Sequence, residues 1–579
     1  MNSRSNLVLL AIAIIVCVSM AESFAADAVD LKPSLRDDAY VTVYTPTLKG
    51  LLDHVAELVP QAKMLSMQAV TWMSQMGLPK DETMAAPVAF MWFATEEGEE
   101  PHVVLLFGMK TGDWLKAMGE ANADGIFARD GSSLMAVPDA VAFAPDNDSL
   151  IAYKKLTAVA SPYKPTANAA KLLAKADLFV HVNLPETLAK YETDIMEAVA
   201  RMLESMGNMP GQAMMVSKMY GSMFLQLLNL ADEVDSVDVA LQFDQEGLKI
   251  TGLTSVGEKG ELTGYLRALG KPERADIRLP LVEQYSIAMW AQWDRKLFDA
   301  LLADGAFLAD WLAGMAKDQP GNEAALAAMK DAMKAQGQML GSQFAQVVKM
   351  SPDGMAMSQI VEVQNLDEAR KLTAQTVNAY NQIIQMLLKA EGGDAPMNID
   401  YTYQADAKTI AGEKVDVMKT TITAANADMQ AQLDKVMAMY GPNGMDTLIG
   451  GTGKHMAVSM SDEMMEKTLS LLKGQQMELL NDGLLVKKMR GKLSPGQNVV
   501  AMLVPARFAE FAGGMMAKMT GRNASDPIPF ATPVSAGLKA VDPRTASVEA
   551  YVPQACITEC TTVVMTMMGG GTAPPAVEE

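Results

Sequence analysis

The chain has 579 residues, 49% of them hydrophobic and 20% charged, with a formal net charge of −21. This length exceeds what a single core fills, so two or more domains are expected, and the apolar share excludes general disorder. So acidic a balance repels phosphate backbones and anionic surfaces, which excludes nucleic acid as an expected partner.

The N-terminus reads as an export signal over residues 1–25. Arg4 supplies the positive start, Leu7 to Met20 form an uncharged apolar run, and Ser23-Phe24-Ala25 presents small residues at the two positions a signal peptidase reads. The run of 14 residues is short for a membrane span, which needs about 20. Cys17 follows Val16 inside that run, so it lacks the small residue that precedes a lipidated cysteine. Cleavage is expected after Ala25. No later segment reaches span length without a charge, so no stable transmembrane insertion is expected once the signal is removed.

Beyond the signal, a strand followed by an amphipathic helix recurs four times. Asp38 to Tyr44 alternates as a half-buried strand, and Pro46 leads into a helix with Leu48, Leu51, Leu52 and Val55 on one face. Phe179 to Asn183 is the second strand, with Pro185 opening a helix that carries Leu188, Tyr191 and Ile195. A third copy runs from Ile287-Ala288-Met289-Trp290 into a helix around Leu297, Phe298 and Leu301, and a fourth from Val499 to Val504 through Pro505 into Phe508, Phe511 and Met515. Further strands are expected at Val103–Phe107, Val237–Phe243, Leu248–Leu253 and Met355–Val363, and Asn365 with Glu368 has the spacing of a capping box.

Copies pair at similar separations, which predicts a tandem duplication and an α+β fold of two related domains, each a mixed or antiparallel sheet packed with amphipathic helices. The first domain is expected over 26–275, with internal units near 38–160 and 176–270. The second is expected over 280–568, with units near 282–475 and 496–568, and 569–579 reads as a flexible tail.

Methionine is the compositional anomaly, with 47 residues. Met202, Met206, Met209, Met215, Met219 and Met223 recur at helical spacings and are taken as a candidate apolar binding face; Met456, Met460, Met464 and Met465 form a second group. Met serves as flexible core filler, as an adaptable binding surface, or as a thioether ligand for a soft metal. The single, scattered His54, His102, His181 and His455 do not complete a copper site, so no metal or other cofactor is expected. Cys556 and Cys560 remain after signal cleavage; in an oxidising compartment a local disulfide is the simpler reading, with a soft-metal pair as the alternative.

Chemistry-bearing motifs are absent. Gly450 to Lys454 looks like a phosphate loop but has Leu448 and His455 where a Walker loop needs Gly and Ser or Thr, so a turn into a strand is expected. No G-x-S-x-G elbow exists, and Gly221-Ser222 and Gly341-Ser342 lie in helical-looking stretches. His181 alternates with Val180 and Val182 and is expected on an exposed or interfacial face, while Asp232 to Asp235 and Glu96 to Glu100 read as solvated turns. No catalytic residue is assigned.

The tandem strand, proline and helix units behind an export signal, with an acidic mature chain, resemble exported bacterial proteins of duplicated α+β build. That resemblance implies a periplasmic or secreted protein and carries over no functional residue. The expected function is a non-enzymatic exported protein that binds an apolar ligand or an envelope protein. An enzyme with an unrecognised acid/base site and a structural envelope component are the alternatives.

Overall fold

In a computed structural model, the chain is described over most of residues 31–567. Outside the description lie 1–30, most of 59–77, 208–229, 272–276, 302–322, 390–396, 438–443, 521–531, 568–579 and short breaks at 32–34, 96–99, 110–112, 117–118, 130–131, 160, 352–353 and 425. The expected signal over 1–25 and the tail over 569–579 fall outside it.

The first strands are β1 (Val41–Thr45), β2 (Val88–Phe93), β3 (His102–Phe107), β4 (Ile126–Arg129), β5 (Ser132–Val137), β6 (Ala140–Ala144), β7 (Leu178–Asn183), β8 (Val234–Asp244) and β9 (Gly247–Val256). They are followed by β10 (Ile287–Gln292), β11 (Leu340–Ser351), β12 (Gly354–Val363), β13 (Met397–Ile410), β14 (Glu413–Ala424), β15 (Thr447–Thr452), β16 (His455–Ser459), β17 (Val499–Leu503), β18 (Val534–Asp542) and β19 (Thr545–Pro553). All four strand starts expected from the sequence are present, as β1, β7, β10 and β17, and Pro505 opens the helix Pro505–Thr520.

The expected fold class is overturned. Instead of two tandem α+β domains with a sheet each, the nineteen strands found among the described residues belong to one antiparallel sheet. Pattern in a sequence reports local periodicity, whereas sheet membership is fixed by hydrogen bonds between distant strands. The consecutive strands β18 and β19 illustrate this, since β18 pairs with β17 and β19 with β9.

Two units are distinguished within the chain. The first holds described residues up to Thr193 with Val234–Val256 and Ser547–Thr562. Its strands pair in the order β4-β5-β6-β3-β2-β1-β7-β8-β9-β19. The helix Asn147–Val159 sets Leu150, Tyr153 and Leu156 at helical spacing into a core with Phe93, Val104, Leu106 and Phe179. Each such fully buried large apolar side chain contributes about 1.5–3 kcal/mol.

The second unit holds Asp194–Glu233, Gly257–Ala546 and the residues from Val563 on. Its order is β18-β17-β10-β11-β12-β16-β15-β14-β13. The helix Asp462–Leu472 buries Met464, Met465, Thr468 and Leu469, and its core partners include Val415, Val417, Leu448 and Ala457. Gly450 leaves room for Val415 in this core, because a Cβ there would stand 3.2 Å from Val415 Cγ2. Gly450 and Gly451 thus belong to β15, and Gly453, at φ +61°, turns the chain into β16, as expected of a turn and not a phosphate loop.

One pairing scheme occurs in both units. β1 lies between β2 and β7, and β10 lies between β11 and β17. The registers correspond as well: Asn183 N–H donates to Tyr40 O, and Val504 N–H donates to Ser286 O.

Several local expectations are refined. Asn365 Oδ1 accepts from Glu368 N–H at 3.2 Å, capping the helix Leu366–Lys389. Gly341-Ser342, expected in a helix, is part of β11, while Gly221-Ser222 lies outside the described residues. Glu233, expected in a solvated turn, accepts from Glu261 N–H at 2.9 Å and Leu262 N–H at 2.8 Å, so it caps the helix Glu261–Leu269 from outside that helix.

Candidate functional site

Three walls within the second unit bound a cleft of about 760 Å³. One wall is a short antiparallel pairing in which Leu281 N–H donates to Glu478 O at 3.0 Å and Leu480 N–H to Leu279 O at 3.1 Å. Asn481 Oδ1 also accepts from Leu279 N–H at 2.9 Å, so the wall is tied by side chain as well as backbone. The second wall is the end of the β11–β12 hairpin at which Ser351 pairs with Gly354, where Lys349 opposes Ala356 and Met350 opposes Met355.

The third wall is the start of the helix Asp462–Leu472. Ser461 caps it by accepting from Met464 N–H at 3.2 Å, and Ser358 and Thr468 hydroxyls lie 2.6 Å apart, tying the helix to β12. Met460 N–H donates to Met357 O at 3.3 Å. These bonds hold the side chains of Met460 and Met464 in place at the cleft, and they are 8% and 6% exposed.

Four methionines, Met355, Met460, Met464 and Met477, line the cleft together with Leu281 and Val282. Unbranched thioethers give an apolar lining that adapts to irregular shapes. The rim is charged: Lys349, Lys467, Glu283, Glu463 and Glu478. Lys467 Nζ lies 2.7 Å from Glu463 Oε1, and this hydrogen bond, with the Lys467 charge and a weaker contribution from Lys349, holds the Glu463 carboxyl below its ordinary range. An apolar interior behind a rim carrying both signs fits a molecule with an apolar body and a polar or ionic head.

Of the methionine groups singled out in the sequence, the second contributes Met460 and Met464 to this cleft, while Met456 and Met465 belong to the core. In the first group, Met202 and Met206 lie on the helix Leu184–Gly207 with side chains outside the description, and Met209, Met215, Met219 and Met223 are outside it altogether. Sequence reasoning missed Met355, Met477, Lys349 and Lys467. They come from segments more than a hundred residues apart, and no local spacing links them.

Each histidine has a local setting outside the cleft. His54 Nδ1 lies 3.2 Å from Asp177 Oδ1, and His102 Nδ1 lies 3.3 Å from Ser149 Oγ. His455 sits in β16 opposite Glu362. His181, expected on an exposed or interfacial face, is instead 6% exposed. Its Nδ1 is 2.8 Å from Asp238 Oδ1, which also accepts from Tyr163 Oη at 3.1 Å. The alternation places His181 opposite Val180 and Val182, but that opposite face is covered by Tyr163, whose ring centroid lies 4.4 Å from that of His181. Burial first, then the charge and hydrogen bond of Asp238, push the Tyr163 phenol far above its ordinary value.

A row of side chains crosses this part of the first unit as Met91, Thr42, His181, Asp238 and Leu253. The corresponding row in the second unit is Val347, Ala288, Met502 and Ser535. Tyr285 Oη even stands 3.8 Å from Met502 Sδ, in the manner of Tyr163 beside His181. The fold therefore builds this row without a His–Asp pair.

Cys556 is buried and Cys560 exposed, one turn apart on the helix Gln554–Met567, and both thiols are free. Burial, then the neighbouring Cys560, push the Cys556 thiol up to about 12. Among the described residues, no group of three His, Cys, Asp or Glu could hold a metal ion, and no helix is long and apolar enough to cross a membrane. Neither a family model nor a curated protein nor a solved structure matches the chain.

Proposed function

We propose that this chain is an exported, non-enzymatic protein of the cell envelope or exterior that binds an apolar or amphiphilic ligand in the methionine-lined cleft of its second unit. The observation that carries this reading is the cleft itself. Its volume of about 760 Å³ is that of a small-molecule site, its interior is thioether and aliphatic, and its charges stand at the rim. Methionine suits a ligand whose chains vary in length or branching, because each side chain repacks through three rotatable bonds.

The test is titration of the full chain with a dansyl-labelled undecanoic acid, followed by fluorescence and by native mass spectrometry. Saturable one-to-one binding, weakened at least tenfold in M355D/M477D, is the expected result. Both residues are only partly buried, so the variant retains its core. Binding without saturation, or binding unchanged in the variant, overturns the reading. So does retention of Ag(I) by the wild type with no uptake of the fatty acid, which would make the thioethers a soft-metal site.

A further inference from the structure

The charges around the methionine-lined cleft are sorted by wall. Glu283 and Glu478 stand on the wall in which Pro280 bridges Leu479, and no described basic residue lines the cleft from there. Lys349 and Lys467 come from the other two walls, on β11 and on the helix Asp462–Leu472, where Glu463 is the one acidic residue at the cleft. Lys467 bonds Glu463 at 2.7 Å, and the Lys349 charge also reaches that carboxyl. Two lysines therefore face one carboxylate here, and two carboxylates stand without a lysine on the remaining wall.

These charges are not spent on one another. Among the described residues, neither Lys349 nor Glu283 nor Glu478 has an ion-pair partner. Lys349 is half-buried and opposes Ala356, whose single methyl leaves the lysine stem against the cleft and its ammonium at the rim. The Lys467–Glu463 pair is exposed and holds its partners only weakly, so it yields to a ligand. A head with a single charge is attracted by one wall and repelled by another, which selects against it.

Resting on the reading of the cleft as an amphiphile site, we propose that its ligand is a zwitterion, with a primary ammonium and an acidic oxygen on one apolar body. The ammonium donates to Glu283 and Glu478, the acidic oxygen accepts from Lys349, and the apolar body packs on Met355, Met460, Met464 and Met477. Two sources share this chemistry: a lysophospholipid with an ethanolamine head, and a short apolar peptide with free ends.

The test loads the full chain with dansyl-labelled undecanoic acid and displaces the label, below micellar concentrations, with lauroyl lysophosphatidylethanolamine, trileucine, lauric acid or dodecylamine. A zwitterion should displace it at about tenfold lower concentration than lauric acid or dodecylamine. Whether the lysophospholipid or the peptide holds that advantage identifies the source. In E283Q/E478Q the advantage over lauric acid should vanish while lauric acid itself displaces no less well. In K349M the advantage over dodecylamine should vanish, and K349R should restore it. Glu283 and Glu478 are exposed and Lys349 half-buried, so the variants keep the core. Equal displacement by all four, or an advantage that survives in both variants, overturns the zwitterion and leaves the cleft an amphiphile site. Failure of the label itself to bind overturns both.

Discussion

His181 and Asp238 face each other directly across the β7–β8 ladder, with Nδ1 and Oδ1 2.8 Å apart and both side chains buried. Removing Asp238 leaves both His181 and the Tyr163 hydroxyl without their acceptor. D238A should therefore destabilise the first unit by about 3–5 kcal/mol, the cost of breaking a buried polar pair from one side. Because the second unit fills the corresponding row with Met502 and Ser535, the double variant H181M/D238S should cost less than D238A alone. Urea unfolding of the three proteins measures this, and a double variant as unstable as the single one refutes it.

Asp416 in the second unit gives a pH dependence of definite sign. Burial pushes its carboxyl up, but hydrogen bonds from Arg370, Tyr403 and the Asp406 amide outweigh that and hold it below its ordinary value of 3.8. A carboxyl depressed in the folded state contributes stability that is complete above the unfolded value and disappears as pH falls through the folded one. The thermal midpoint of the wild type should hold between pH 7 and 5 and drop below about 3.8. In D416N it should start lower, by the lower end of the ~3–5 kcal/mol of a broken buried pair, and the two curves should converge in acid. Parallel curves would contradict the assignment.

The thiols of Cys556 and Cys560 should react unequally. With its thiol pushed up to about 12 by burial and by Cys560, Cys556 stays protonated at pH 8, whereas Cys560 is exposed. Iodoacetamide should label Cys560 first, read by peptide mass spectrometry. We further propose that under mild oxidation the pair closes into the disulfide expected of an exported protein, seen as a loss of two hydrogens in mass. C560S should prevent that loss, and a loss that persists in C560S excludes the pairing.

The local elements were legible wherever periodicity and a helix-start residue coincided. The alternation of Phe179 to Asn183 and the Asn365–Glu368 cap are written within a few residues, and both are found. Single-sheet membership was not legible, because β9 and β19 are nearly three hundred residues apart in the chain. Of the cleft, only Met460 and Met464 belonged to a group visible in the sequence. Met355 and Met477 enter it through strand pairing and loop crossing, which no helical spacing announces. The burial of His181 was misjudged for a related reason: alternation tells which side a residue faces but not that Tyr163 covers that side.

The pairing of β9 with β19 also constrains how the chain is made. Residues 547–553 leave the ribosome nearly three hundred residues after β9, and until they arrive β9 presents an unpaired edge. The first unit therefore cannot complete its sheet until nearly all of the second unit has been made. A chain built this way stays unfinished during synthesis and closes late, through a contact of very long sequence separation and correspondingly slow formation.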